Sequence, residues 1–132
     1  MDSGPTASLT LPRSRRIKQG RDFFKAKTQG QRLVQGCLIL NWLPLPAGSF
    51  SRIGVITTRK LGNAVIRARA RRLLREAFRL RQLCLAQPVD VVLIARSSVV
   101  GRNFAAVEKD FIAALKRAGL FREPDRATPA SV

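Results

Sequence analysis

Residues 59–81, RKLGNAVIRARARRLLREAFRLR, constrain this chain more than any other stretch, because they put arginines where a free-standing helix gains nothing from them. At the helical period Arg67, Arg71, Arg75 and Arg79 follow one another at i, i+4 and make one positive ridge. Ile66, Ala70, Leu73, Ala77, Leu80 and Cys84 fall on the other side. Each like-charge i, i+4 pair weakens a helix by roughly 0.2–0.5 kcal/mol. Three stacked pairs therefore oppose folding unless a polyanion neutralises them. The ridge reads as a binding surface and the apolar side as a core face.

The rest of the composition points the same way. The net charge of +17 arises from 25 Lys and Arg against 8 Asp and Glu in 132 residues, a potential that attracts nucleic acid or an anionic surface. The chain is 45% hydrophobic and of single-domain size. No apolar run approaches the roughly 18 residues of a membrane span. Residues 1–10 lack the charged and apolar regions of a signal peptide, so the expected location is the cytoplasm and no membrane partner is expected. Cys37 and Cys84 lie in apolar surroundings without metal-ligand spacing, and are expected as buried free thiols.

Residues 1–12 and 122–132, rich in Ser, Thr, Pro and Gly or in charge, read as flexible tails around a domain at 13–121. A basic helix is expected from Ser14, with Phe23 and Ala26 as apolar contacts and its end at Gly30. Extended runs at 32–35 and 37–43 are separated by Gly36, a candidate bulge or bend, and residues 52–58 form a further short strand. Asn63 is the expected N-cap of the arginine-rich helix, which runs to about Leu83 before Pro88. Residues 89–95, VDVVLIA, read as a strand, and Asn103 as the N-cap of a last helix that turns Phe104, Val107, Phe111, Ala114 and Leu115 to one side. The order helix-strand-strand-strand-helix-strand-helix predicts an α+β fold, a two-layer α/β sandwich on a four-stranded sheet.

Catalytic chemistry is scarce. The chain has no His and no Tyr, which removes the usual proton shuttles of metal-free RNA hydrolysis. The acids show no two-metal cluster; Glu108 and Asp110 fall on different faces of a helix and read as solvated, and Glu76 as a local partner of neighbouring arginines. No Walker-type loop is present. No catalytic residue and no protein-bound metal are expected.

The run from Gly62 to Glu76, GNAVIRARARRLLRE, resembles the signature of the bacterial ribonuclease P protein family. Arg52-Ile53-Gly54-Val55 and Thr57-Thr58-Arg59-Lys60 are similar to that family's third strand and its exit. Asp22-Phe23 within residues 16–30 resembles its first helix, and Asp90-Val91-Val92-Leu93-Ile94-Ala95-Arg96 its last strand, so the likeness covers residues 13–118. The resemblance implies a left-handed βαβ crossover, which runs against the usual right-handed rule. It also implies a non-catalytic protein subunit that binds a catalytic RNA and the 5′ leader of precursor tRNA and promotes removal of that leader. Magnesium would then be held by the RNA. Family contacts map onto Arg59, Lys60, Asn63, Arg67, Arg69, Arg71, Arg72 and Arg75 for the RNA, and onto Arg16, Phe23, Lys27 and Asn41 for the leader.

Three positions depart from the family pattern. Ala68 replaces the central amide of the arginine motif, Lys27 replaces a second aromatic one turn after Phe23, and Asn41 stands where a sheet aromatic is common, with Trp42 pointing to the other side as a core residue. Leader contacts are thus expected to rest more on charge and amides than on stacking. Phe23 reads equally as a plain core residue, as a cleft wall, or as both. The N-terminal set Arg13, Arg15, Arg16, Lys18, Arg21, Lys25 and Lys27 also reads as a flexible basic tail and helix held only by non-specific phosphate attraction. Alternatives are a structural, ribosomal-type RNA-binding protein and an architectural DNA-binding protein. The second is disfavoured because no helix-turn-helix or dimer heptad is visible, and no DNA partner is expected.

Overall fold

The computed structural model describes residues 11–123. Strands β1 (Gln31–Gln35), β2 (Leu38–Pro44), β3 (Arg52–Ile56) and β4 (Val89–Ala95) form one sheet in the order β1-β2-β4-β3. β1, β2 and β4 are joined antiparallel, whereas β3 and β4 run parallel. Helix α1 (Gly20–Gln29) precedes the sheet, α2 (Ala64–Arg81) links β3 to β4, and α3 (Phe104–Ala118) closes the chain. The expected helix and strand order and the four-stranded α+β sandwich are therefore present.

Alternation along the strands divides the sheet into two faces. Leu38, Leu40, Trp42, Ile53, Val89, Val91, Leu93 and Ala95 pack under α2 and α3, where Ala70, Leu74, Ala77, Phe78, Val107, Phe111, Ala114 and Leu115 complete the main core. Phe78 and Phe111 meet with ring centroids 6.5 Å apart. The other face carries a smaller cluster of Val92, Ile17 and Ala26 with Phe23, Leu43, Ile56 and Ile94, and α1 lies across it. Helices thus cover both faces, unequally.

The caps form as expected. Asn63 accepts a hydrogen bond from the Ile66 N–H at 3.0 Å, and Asn103 accepts one from Ala106 at 2.9 Å. Gly36, with φ of 54°, is the first residue of the two-residue loop joining β1 and β2, so it is a hairpin turn rather than a bulge.

Other expectations are corrected. Residues 14–19 are not helical: Arg13–Arg15 form a single 3₁₀ turn, and Arg16 and Ile17 run extended beside β3, with the Ile17 N–H donating to the Ile53 carbonyl at 2.8 Å. Pairing with the sheet edge and burial of Ile17 outweigh helical propensity there. On α2 the fully buried positions include Leu74 and Phe78, while Leu80 is only half-buried. The buried stripe is broader than an a/d seam and shifted toward the arginines. Glu108 and Asp110 are not solvated either. Glu108 accepts from Arg81 at 2.9 Å, and Asp110 accepts from the Cys37 N–H at 3.0 Å and lies 3.5 Å from Arg102. At the boundaries assigned to the tails, Leu11 packs on the core and the Arg122 N–H reaches the Cys84 carbonyl. Residues 1–10 and 124–132 of the expected tails lie outside the described residues.

α1 is held against the sheet at three points. Arg52 on β3 makes a bidentate pair with Asp90, at 2.8 and 2.6 Å, and reaches Asp22 of α1 at 3.5 Å. The Phe23 ring lies on Gly54, where an added Cβ would stand 2.5 Å from the ring. At the end of α1 a Cβ on Gly30 would strike the carbonyls of Trp42 and Ala26. Gly54→Ala is therefore expected to destabilise the fold by about 1–3 kcal/mol in a denaturant titration. The loss should shrink in a Phe23→Leu background, and equal losses in both backgrounds would show that the ring is not what the methyl meets.

Both cysteines are free and buried. Burial first, and then the hydrogen bond and charge of Asp110, raise the Cys37 thiol from the ordinary 9.0 to about 11, with Arg102 opposing. A neutral thiol is favoured in the fold, so its contribution is whole below the unfolded value near 9 and lost as pH rises toward about 11. Melting temperature should fall across that window, and fall less in Cys37→Ala; parallel curves would remove Cys37 as a cause.

Candidate nucleic-acid interface

The rotation of α2 is set by its buried stripe, and the arginines on its flanks follow from that. Arg71 leans over the exit of β3 and donates to the Thr57 hydroxyl at 2.9 Å; Arg67 folds back to the Gly62 carbonyl at 3.2 Å. Arg75 stands next to Arg16, which the extended N-terminal segment carries along β3. Arg13, Arg16, Ile17, Lys18 and Arg75 line one hollow, and Leu11, Arg16, Arg72, Arg75, Glu76 and Arg79 line its neighbour, so Arg16 and Arg75 are common to both.

This patch is electrostatically uncompensated. Burial first, and then the charges of Arg16 and Arg71, lower the pKa of Arg75. The Arg16 Nε is buried with no hydrogen-bond partner. A buried unpaired donor costs about 1–3 kcal/mol, which an anion accepting from it would recover. Among the described residues, no carboxylate lies within ion-pair distance of Arg16, Arg67, Arg71, Arg72 or Arg75. The acids are used elsewhere, as in the Arg52 clamp and the pairs Arg79 with Glu76 and Arg81 with Glu108.

The structure brings together most of the residues singled out from the sequence. Arg59, Lys60 and Asn63 are exposed at the loop leading into α2, beside its free N–H groups. Arg72 is exposed, and Arg67, Arg71 and Arg75 are half-buried. Arg69 does not join them: it lies on the opposite flank and donates to the Arg102 carbonyl at 2.9 Å.

On the α1 face, Lys27 is exposed and Phe23 half-buried. Asn41 is 1% exposed, and neither atom of its amide has a hydrogen-bond partner. It is a covered polar group rather than open surface, because Gly30 and Gly54 let α1 settle close to the sheet. Trp42 is in the main core, as expected. Two contributors were missed. Arg52 positions α1 through Asp22 and Asp90, a partnership between residues remote in sequence. Arg16 was singled out for the leader alone, yet it joins the α2 patch, because nothing in the sequence pairs residue 16 with residue 75.

The sequence matches the ribonuclease P family over residues 11–119. The ribonuclease P protein component of Gluconacetobacter diazotrophicus is 39% identical over 111 residues, covering 82% of this chain and 94% of that protein. That of Syntrophomonas wolfei is 37% identical, covering 84% and 92%. Among solved structures, the RNase P protein of Staphylococcus aureus superposes with a TM-score of 0.74 at 25% identity, covering 82% of this chain and 98% of that one. The Thermotoga maritima protein gives 0.69 at 27% identity, covering 77% and 96%. These likenesses set aside the ribosomal-type and DNA-binding alternatives. A basic sandwich with an uncompensated arginine patch, matched along nearly the whole domain, belongs to the bacterial ribonuclease P protein family, the RNA-binding protein component of a ribonucleoprotein whose RNA carries out catalysis.

Proposed function

We propose that this chain docks on the catalytic RNA through the patch of Arg71, Arg72, Arg75 and Arg16, extended by Arg59, Lys60, Asn63 and Arg67 at the start of α2. The observation that carries this reading is the buried, unpartnered Arg16 Nε set among arginines that, among the described residues, pair with no acid: Glu76, which lines the same hollow, is taken by Arg79. Phosphate oxygens supply both the missing acceptor and the missing charge. Arg69, on the other flank of α2, contacts a separate stretch of the same RNA.

The 5′ leader of precursor tRNA lies along α1 and the adjoining sheet face. Phe23 offers an aromatic edge, Lys27 a phosphate contact and Arg16 a cation where the leader meets the patch, while Asn41, covered by α1, makes no direct contact with the leader. The protein contributes no proton-transfer group. Its part in removing the leader is to neutralise, hold and orient RNA, while magnesium ions sit on RNA phosphates. Among the described residues, no group of three His, Cys, Asp or Glu could hold a metal, and no helix is long and apolar enough to cross a membrane. The working compartment is the cytoplasm.

If about five phosphates are neutralised, the log–log dependence of RNA-subunit affinity on salt should have a slope of about −4. A flat dependence would remove the electrostatic account. Arg75→Gln should weaken that binding while leaving the free protein as stable or slightly more so, since it relieves repulsion from Arg16 and Arg71. Arg71→Gln should gain less, because it also loses the bond to Thr57. A large drop in melting temperature for Arg75→Gln would make that arginine structural.

For the leader, Phe23→Ala should weaken holoenzyme binding of precursor tRNA and leave mature tRNA binding nearly unchanged, at protein concentrations and temperatures where the variant is fully folded. Lys27→Ala should lower the salt sensitivity of precursor binding only. Fluorescence titration with leader-bearing and leaderless tRNA reads both. Equal losses for the two RNAs would mean that Phe23 acts through the packing of α1.

A further inference from the structure

The arginine patch does not end at Arg16. Its chain neighbour Arg15 turns toward the end of α2, where its guanidinium donates to the Gln82 side chain at 3.3 Å and lies over the Phe50 ring, 4.2 Å from the centroid. Phe50 belongs to the loop between β2 and β3 and is 69% exposed. Exposure alone does not single it out, since Phe24 is 66% exposed; what does is the cavity and the cations beside it. The cavity beside it, of about 440 Å³, is lined by Arg15, Ser49, Phe50, Gln82, Gln87 and Arg122 among others, and among the described residues no carboxylate lines it.

The chemistry selects the occupant. An aromatic ring with a guanidinium over one face and most of its surface still open, flanked by two arginines, amides, hydroxyls and apolar side chains, suits a flat base with an anionic linkage on either side. It does not suit an apolar helix, which would bury Arg15 and Arg122 without partners. Position agrees with chemistry. From Arg71 to Gln82 along α2 is roughly 16 Å at 1.5 Å per residue, so the arginine strip leads into the cavity through adjacent residues, Arg16 and then Arg15.

The geometry points to a nucleotide-stacking site at Phe50: an unpaired nucleotide of an RNA strand whose backbone follows the Arg71, Arg75 and Arg16 strip places its base on the Phe50 ring and its phosphate between Arg15 and Arg122. The strand belongs either to the RNA subunit or to the precursor tRNA. The inference rests on the RNA-docking role of the arginine patch and extends it beyond α2.

Two binding measurements on the full chain distinguish the sources: affinity for the isolated RNA subunit, and affinity of the assembled holoenzyme for precursor tRNA. Phe50→Ala should weaken one of them by roughly 5- to 150-fold, the loss of one base–aromatic stack, without changing the salt slope. Phe50→Trp should retain binding. Arg15→Gln should weaken the same measurement and make its salt slope shallower by about one phosphate. Because Phe50 is exposed, its melting temperature change serves as the control for folding. An unchanged affinity in both measurements for Phe50→Ala would overturn the site, as would equal losses for Phe50→Ala and Phe50→Trp. If Arg75→Gln still weakens RNA binding in either of those cases, the arginine-patch reading stands and only the stacking site falls.

Discussion

Burial of Ala70, Leu74, Ala77 and Phe78 against the sheet is the constraint on which the rest of the molecule depends. It fixes the rotation of α2 about its axis, and so decides which arginines lean over β3, which face water and which cross to the α3 side. The helix cannot turn to separate its positive charges without exposing Phe78 and Leu74, each fully buried and worth about 1.5–3 kcal/mol of burial. Repulsion along the ridge amounts to a few tenths of a kcal/mol per pair. The core wins, and the charge is left concentrated for a partner to neutralise.

The few carboxylates sharpen this division. Each acid from Asp22 to Asp110 is engaged by an arginine whose work is architectural: Arg52 clamps α1 to the sheet, Arg79 pairs along α2, Arg81 ties α2 to α3, and Arg102 meets the acid that holds the β1–β2 turn. Among the described residues, Arg16, Arg71, Arg72 and Arg75 receive none. In a protein of +17 the ion pairs thus serve the scaffold, and the strip is left positive. The strip runs from the start of α2 past Arg16 toward the Phe50 cavity.

What could be read in advance was what local physics dictates. Asn63 and Asn103 were recognisable as N-caps because a short polar side chain before an apolar period has one obvious use. β4 was legible as an apolar run, interrupted only by Asp90 and preceded by Pro88. Residues 14–19 misled because their propensity is helical, while pairing of Ile17 with Ile53 is a contact between segments that no window contains. Leu74 and Phe78 were missed because a helix wedged between a sheet and another helix buries a wider stripe than a single face. The Arg52 clamp, the joining of Arg16 to Arg75 and the covering of Asn41 all depend on residues brought together from different elements.

The amino-acid sequence by itself determined the order of elements, the caps, the α+β class and the demand for a polyanionic partner, since each follows from periodicity, local hydrogen bonding or charge count. It also carried, through the arginine motif and its flanking strands, the family. The hand of the β3–α2–β4 crossover was implied by that resemblance alone, because hydrophobic periodicity carries no chirality. Only the tertiary structure decided which arginines act together, that Arg69 stands apart, that Asn41 is covered and that Phe50 is open, because burial and neutralisation are set by contacts between elements distant in the chain.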